Sequence, residues 1–313
     1  MDALRAPTAA GYPREYLCAR IGARRTFLHH DWDAMLAAPD PIAGLPAAPF
    51  RSAPVTTEQE IWSAAQREWS WLYAQMEPRL RRGFAPLFLY FELRTVILCL
   101  RQQPAGAATE DLLRSSLLSP VLCRVLLMDR EPSETVRGVI RFFVGVGLPN
   151  RELSTGYRER GLAGLEERLT DRYLERTVAQ RLDPLLRRVL GRIIDLRNAL
   201  QLAKALRWGM NAPAFLAGGT VAPAWFAKAI HNGAARASVE AQLMGGGIDL
   251  AAENLEAQLL GRVSREVRSW GRVAGNGPIL DYLWSVAMEA RNLSLLWHGR
   301  GLPRDLLHKE LIQ

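Results

Sequence analysis

Three times along this chain an acidic residue is followed two positions later by arginine, then by a small polar residue and an apolar helical stripe. The copies read Glu92-Leu93-Arg94-Thr95, Asp195-Leu196-Arg197-Asn198 and Glu289-Ala290-Arg291-Asn292, so the acids stand 103 and 94 residues apart. Other marks travel with them. Leu112-Leu113 and Phe215-Leu216 fall at the same offset from their acids, and Pro120 and Pro223 each lie 28 residues after theirs. Pro13 opens the first stretch as Pro120 and Pro223 open the next two. Proline suits the first turn of a helix, where its missing N–H has no partner to lose. The spacing predicts a flexible start over 1–12 and three copies of one helical unit over 13–119, 120–222 and 223–313. Units of this length exceed the short repeats of a solenoid and point to a triplicated domain.

Apolar positions recur at helical spacing throughout, and no convincing period-2 stretch occurs, which predicts an all-α fold with four or five helices per unit. Tyr16 to Leu28 reads as one helix and Ala34 to Ala38 as a short second. The stretch Pro39 to Pro54 holds five prolines and reads as a loop. Thr56-Thr57-Glu58-Gln59-Glu60 offers capping chemistry, a hydroxyl taking a free amide while Glu or Gln three residues later reaches back, ahead of a long helix that carries Ile61, Trp62, Trp69 and Trp71 to about Arg81. Phe84 to Gln103 forms the first acid-x-Arg helix. In the second unit, helices are expected from Ser133 to about Gly145, from Gly164 to about Leu182, and onward from Pro184, with a kink, into the helix of Asp195. In the third, Ala222 to Ala229, a short helix from Ser238, and Ala251 to Trp270 precede a final helix from Pro278. A turn at Gly299–Pro303 then leads into a last helix.

Bulk properties narrow the class. A chain of 313 residues is more than one compact core usually serves. Its 49% hydrophobic and 23% charged residues fit a soluble globular protein. Of the 40 basic residues behind the net charge of +8, only Lys204, Lys228 and Lys309 are lysine. Arginine favours bidentate pairing with carboxylates or phosphates, although solvated helix faces account for such a balance equally well. Cys18, Cys99 and Cys123 are odd in number and lie in apolar surroundings, which predicts buried free thiols. The most apolar window, Phe84 to Leu100, is interrupted by Glu92 and Arg94, so no uncharged stretch reaches the ~20 residues of a bilayer crossing.

No catalytic constellation stands out. Residues i and i+2 on a helix do not face each other, so each acid and its arginine are expected to reach different neighbours as structural ties or partner contacts. His29-His30-Asp31-x-Asp33 contains metal-capable groups, but the other two copies hold no counterpart. Gly245-Gly246-Gly247 lacks the Lys and Ser/Thr of a phosphate loop and reads as a turn. The basic runs around Arg79–Arg82 and Arg187–Arg192 lack the aromatic-bearing face or fold module that nucleic-acid binding normally adds. No cofactor is implied. A helical adaptor for acidic or nucleic-acid partners is the alternative that such a chain leaves open.

The final helix carries Tyr282-Leu283, Glu289 and Arg291-Asn292-Leu293, followed by Gly299-Arg300-Gly301-Leu302-Pro303. These residues closely resemble the carboxy-terminal signature of the central-stalk C subunits of V-type and A-type rotary ATPases, the d subunits of eukaryotes. The central Leu165-Glu166, Asp171-x-Tyr173 and Asp195-Leu196-Arg197-Asn198 also fit, as does Tyr16-x-x-Ala19-Arg20. Thr95 departs from the asparagine of the other copies. The resemblance implies a funnel-shaped socket of three similar helical domains on the cytoplasmic side of the membrane. It implies that one end sits on the membrane rotor ring (c/K/L subunits) and that the cavity receives the rotor shaft, made of the D and F subunits. It further implies a non-catalytic, peripheral part that couples ion transport to ATP turnover without spanning the bilayer.

Overall fold

A computed structural model describes residues 2–38, 57–103, 105–128, 131–210, 213–243, 247–273 and 275–312. Among them the chain is all-α, with two isolated bridges, Leu4 to Leu118 and Tyr12 to Met76, as its extended pairings. Helices α1 (Arg14–Arg25), α2 (Trp32–Ala37), α3 (Glu58–Gln75), α4 (Pro78–Arg101) and α5 (Ala107–Ser115) come first. Next are α6 (Pro120–Leu127), α7 (Pro132–Gly145), α8 (Asn150–Val178) and α9 (Pro184–Trp208). The last are α10 (Pro223–His231), α11 (Gly233–Gln242), α12 (Leu255–Gly271), α13 (Gly277–His298) and α14 (Arg304–Glu310). The proline-rich stretch 39–54 and Gly245-Gly246 lie outside the described residues.

Two compact units emerge, one of Met1–Leu17 with Trp62–Arg181, the other of Cys18–Ile61 with Leu182–Gln313. In unit 1, α4 is the axis. Phe84, Leu87, Phe88, Val96 and Cys99 are fully enclosed, and α5, α6, α7 and α8 pack on it. The Tyr173 hydroxyl on α8 donates to the carbonyl of Pro86 at 2.7 Å, which fastens α8 to α4. In unit 2, α9 buries residues on every side, from Leu186 through Ile194 to Leu202, as a central helix must. It packs against α10 and α12, and α12 packs against α13.

Several expectations from the sequence are met in detail. The Thr57 hydroxyl accepts the Glu60 N–H at 3.2 Å while the Glu60 carboxylate accepts the Thr57 N–H at 3.0 Å, a closed capping box. Others are corrected. The helix expected to run from Ile61 to Arg81 breaks at Met76–Glu77. There Tyr12 pairs with Gln75 and Glu77 through its N–H and C=O, and the Arg81 guanidinium donates to the carbonyls of Tyr73 and Ala74. Asp183 interrupts the expected continuation into α9, because its carboxylate accepts the N–H groups of Leu185 and Leu186 and starts a fresh helix at Pro184.

The stretch counted as α8 is two helices, 150–159 and 162–178. Arg160 leaves helical geometry and Gly161 turns through φ 59°. Arg172 Nε lies 2.6 Å from Glu152, although 20 residues of straight helix would span ~30 Å. The chain therefore doubles back, and Gly156 and Gly164 permit the close approach: a Cβ on Gly156 would stand 2.7 Å from the Gly164 carbonyl oxygen. The first of these helices had no period strong enough to be read from sequence. The amino terminus also differs from the flexible start expected, since Ala3 and Leu4 are buried. Cys99 is the one buried thiol; Cys18 and Cys123 are half-buried.

Candidate functional site

Each acid of the repeated signature ends on a backbone N–H far along the chain. On α4, Glu92 Oε1 accepts the Leu117 N–H at 2.7 Å. On α9, Asp195 Oδ1 accepts the Val221 N–H at 3.1 Å, and its other oxygen accepts the Thr220 hydroxyl. On α13, Glu289 Oε1 accepts the His29 N–H at 2.9 Å. All three acids are buried. For Glu92 and Asp195 the tied amide lies three and two residues ahead of Pro120 and Pro223, so each acid fixes the backbone just before a proline that starts a helix.

The asparagines make a second tie. Asn198 Nδ2 donates to the Leu216 carbonyl at 2.9 Å, while its Oδ1 accepts the Leu216 N–H at 2.8 Å. Asn292 does the same with Ile312, at 2.7 and 3.0 Å. One side-chain amide thus satisfies both polar groups of a buried residue, which would otherwise be costly to leave unpaired. Thr95 has a single hydroxyl and cannot clamp in this way. It accepts the Gln66 Nε2 donor at 2.7 Å instead.

The arginines diverge from the acids. The Arg94 guanidinium lies 3.5 Å over the Trp62 ring. Arg291 donates to the Glu310 carbonyl at 3.0 Å and reaches Glu256 at 4.0 Å. Arg197 is half-buried on α9. The acid and the arginine of the first and third copies therefore serve separate neighbours, as their helical spacing requires.

Burial acts on the acids unequally. Desolvation pushes Glu92 up to about 7, against the weaker pull of the Leu117 amide and the nearby Thr95 hydroxyl. Asp195 is also raised by burial, but the Thr220 hydroxyl, the Val221 amide and Arg192 oppose the shift. Arg192 lies 3.6 Å from Asp195 and bridges onward to Glu266 at 3.0 Å.

Unit 2 also holds a cleft of about 500 Å³ that no spacing in the sequence announces. The turn from α1 to α2 forms one wall with His29, His30, Asp31 and Asp33; α12 and α13 form the other. Its charged groups are largely committed. Arg25 pairs with Asp281, Glu289 holds the His29 amide, His29 Nε2 bonds the Asp31 carbonyl at 2.9 Å, and His308 pairs with Asp33 at 3.1 Å. Trp284 Nε1 donates to Ser264 at 2.9 Å in the floor. Gly271 leaves the room that Asp281 fills, since a Cβ there would overlap the carboxylate. Arg25 and Asp281 are 256 residues apart, which explains why the cleft was invisible to a reading of local motifs. The arrangement can seat a polar anchor from a partner, but it presents no nucleophile held by a base. Neither a protein-family model nor a curated protein matches the chain.

Proposed function

We propose that this chain is a non-catalytic coupling subunit of a V-type or A-type rotary ATPase, a funnel-shaped socket of three similar helical bundles over 13–119, 120–222 and 223–313. In this reading it receives the rotor shaft, the D and F subunits, and rests on the membrane rotor ring at its cytoplasmic face. It transmits torque between ion flow and ATP turnover.

The observation that carries this reading is the recurrence of one buried tie in the three acid-bearing helices. The acid of each copy is spent on a backbone amide, and the asparagines of the second and third each clamp the N–H and C=O of one buried residue. Signature residues tied to the backbone in this way serve rigidity, which a torque-bearing part needs. The copies are defined by these ties; the two compact units group the helices differently.

The test is capture from purified components. Immobilised chain is expected to retain the D–F shaft pair at near-stoichiometric level and to hydrolyse no ATP. Failure to retain the shaft, together with binding to nucleic acid that falls steeply with salt, would favour the helical adaptor instead.

A further inference from the structure

Glu92 differs from the other two signature acids in what surrounds it. It is wholly enclosed, one oxygen holds the Leu117 N–H, and Oε2 has no hydrogen-bond partner among the described residues. Asp195 by contrast has both oxygens engaged, Oδ2 by the Thr220 hydroxyl and Oδ1 by the Val221 amide, with Arg192 3.6 Å away. The Leu117 peptide is also the point where the amino terminus docks. Its carbonyl accepts the Arg5 N–H at 2.7 Å, the Ser119 N–H donates to the Ala3 carbonyl at 2.9 Å, and Leu4 pairs with Leu118. A single residue thus connects the buried carboxyl to the segment Ala3–Arg5.

We propose that Glu92 is a proton-operated latch: protonated, it holds the amino-terminal segment closed on residues 117–119, and ionised, it favours release of that segment, where the carboxylate reaches water. The charged and titratable groups acting on Glu92 are few. Arg5 comes from the docked segment itself, Cys99 from α4 and Cys123 from α6. Burial raises both thiols, Cys99 to about 12, so they stay neutral, and among the described residues Arg5 is the charge that opposes the shift. Arg5 is exposed, and its attraction is weakened by solvent.

The sign follows from linkage. The closed state holds the Glu92 proton up to about pH 7, whereas an open, solvated glutamate releases it near its ordinary value of about 4.3. The stabilisation is therefore fully present below that lower value and is lost as pH rises through about 7. The latch is independent of the coupling role proposed above.

Hydrogen exchange of residues 2–5 and 116–119 tests it on the full chain between pH 5 and 9, after correction for intrinsic exchange. In the wild type the open population is expected to climb as pH rises, by up to about tenfold per unit while one proton is released, and to level off above about 7. In Glu92→Gln it should be independent of pH. Arg5→Ala keeps the backbone bond but removes the opposing charge, so its profile should move to higher pH. A wild-type profile flat across the range overturns the latch. So does an unchanged slope in Glu92→Gln, or, if that variant does not fold, an unmoved profile in Arg5→Ala.

Discussion

At the scale of single residues, the repeated signature divides into ties and satellites. Asn198→Ala and Asn292→Ala each leave a buried N–H and C=O unpaired, so each should lower stability by about 2–6 kcal/mol at roughly 1–3 kcal/mol per orphaned group. Urea unfolding measures this directly. Arg94→Ala loses an exposed stacking contact and should cost no more than about 1 kcal/mol. Equal losses at Asn198 and Arg94 would contradict the division. Thr220→Val makes a different prediction, because its hydroxyl is the largest favourable influence on the buried Asp195 carboxylate. Without it the folded-state value rises further, so stability falls more steeply as pH climbs. The variant should be weaker by about 1–3 kcal/mol at neutral pH and nearer to wild type in acid; a loss that does not change with pH would refute that role. The acids, arginines and asparagines were legible in the sequence because their spacing recurs. Their partners were not, since an acceptor on a helix does not name the amide it will meet 25 or 260 residues away.

At the scale of elements, glycine decides where helices can cross. Gly164→Ala would drive a Cβ into the Gly156 carbonyl and should destabilise the doubled-back pair within α8. Gly161→Ala must adopt a left-handed conformation at a cost of roughly 1–2 kcal/mol. Gly22 and Gly83 lie within α1 and α4 with open space where a Cβ would go, so alanine there should raise stability by about 0.5–1 kcal/mol. Thermal melting of the four variants should therefore split by sign, and a uniform loss would contradict this role for glycine. Element starts were readable where the signal was local: the capping run 56–60, and the prolines at 120 and 223. The break at Met76 and the reversal at Gly161 depend on Tyr12, Arg81 and the facing glycines. Those are tertiary causes, and periodicity carries no trace of them.

At the scale of the whole molecule, the all-α class was legible because apolar residues recur at helical spacing in most of the elements and no stretch alternates with period 2. The cleft of unit 2 was not, because Arg25 and Asp281, which meet in its wall, stand 256 residues apart in the sequence. The central claim is that the buried signatures brace a mechanical coupler and perform no chemistry. Its most direct test is a membrane preparation of the rotary complex stripped of this chain, to which purified protein is returned. ATP hydrolysis and ATP-driven ion transport are then measured side by side. Transport per ATP is expected to be low without the chain and restored by adding it, while the chain alone hydrolyses nothing. Transport per ATP that is the same with and without the chain would contradict the coupling role.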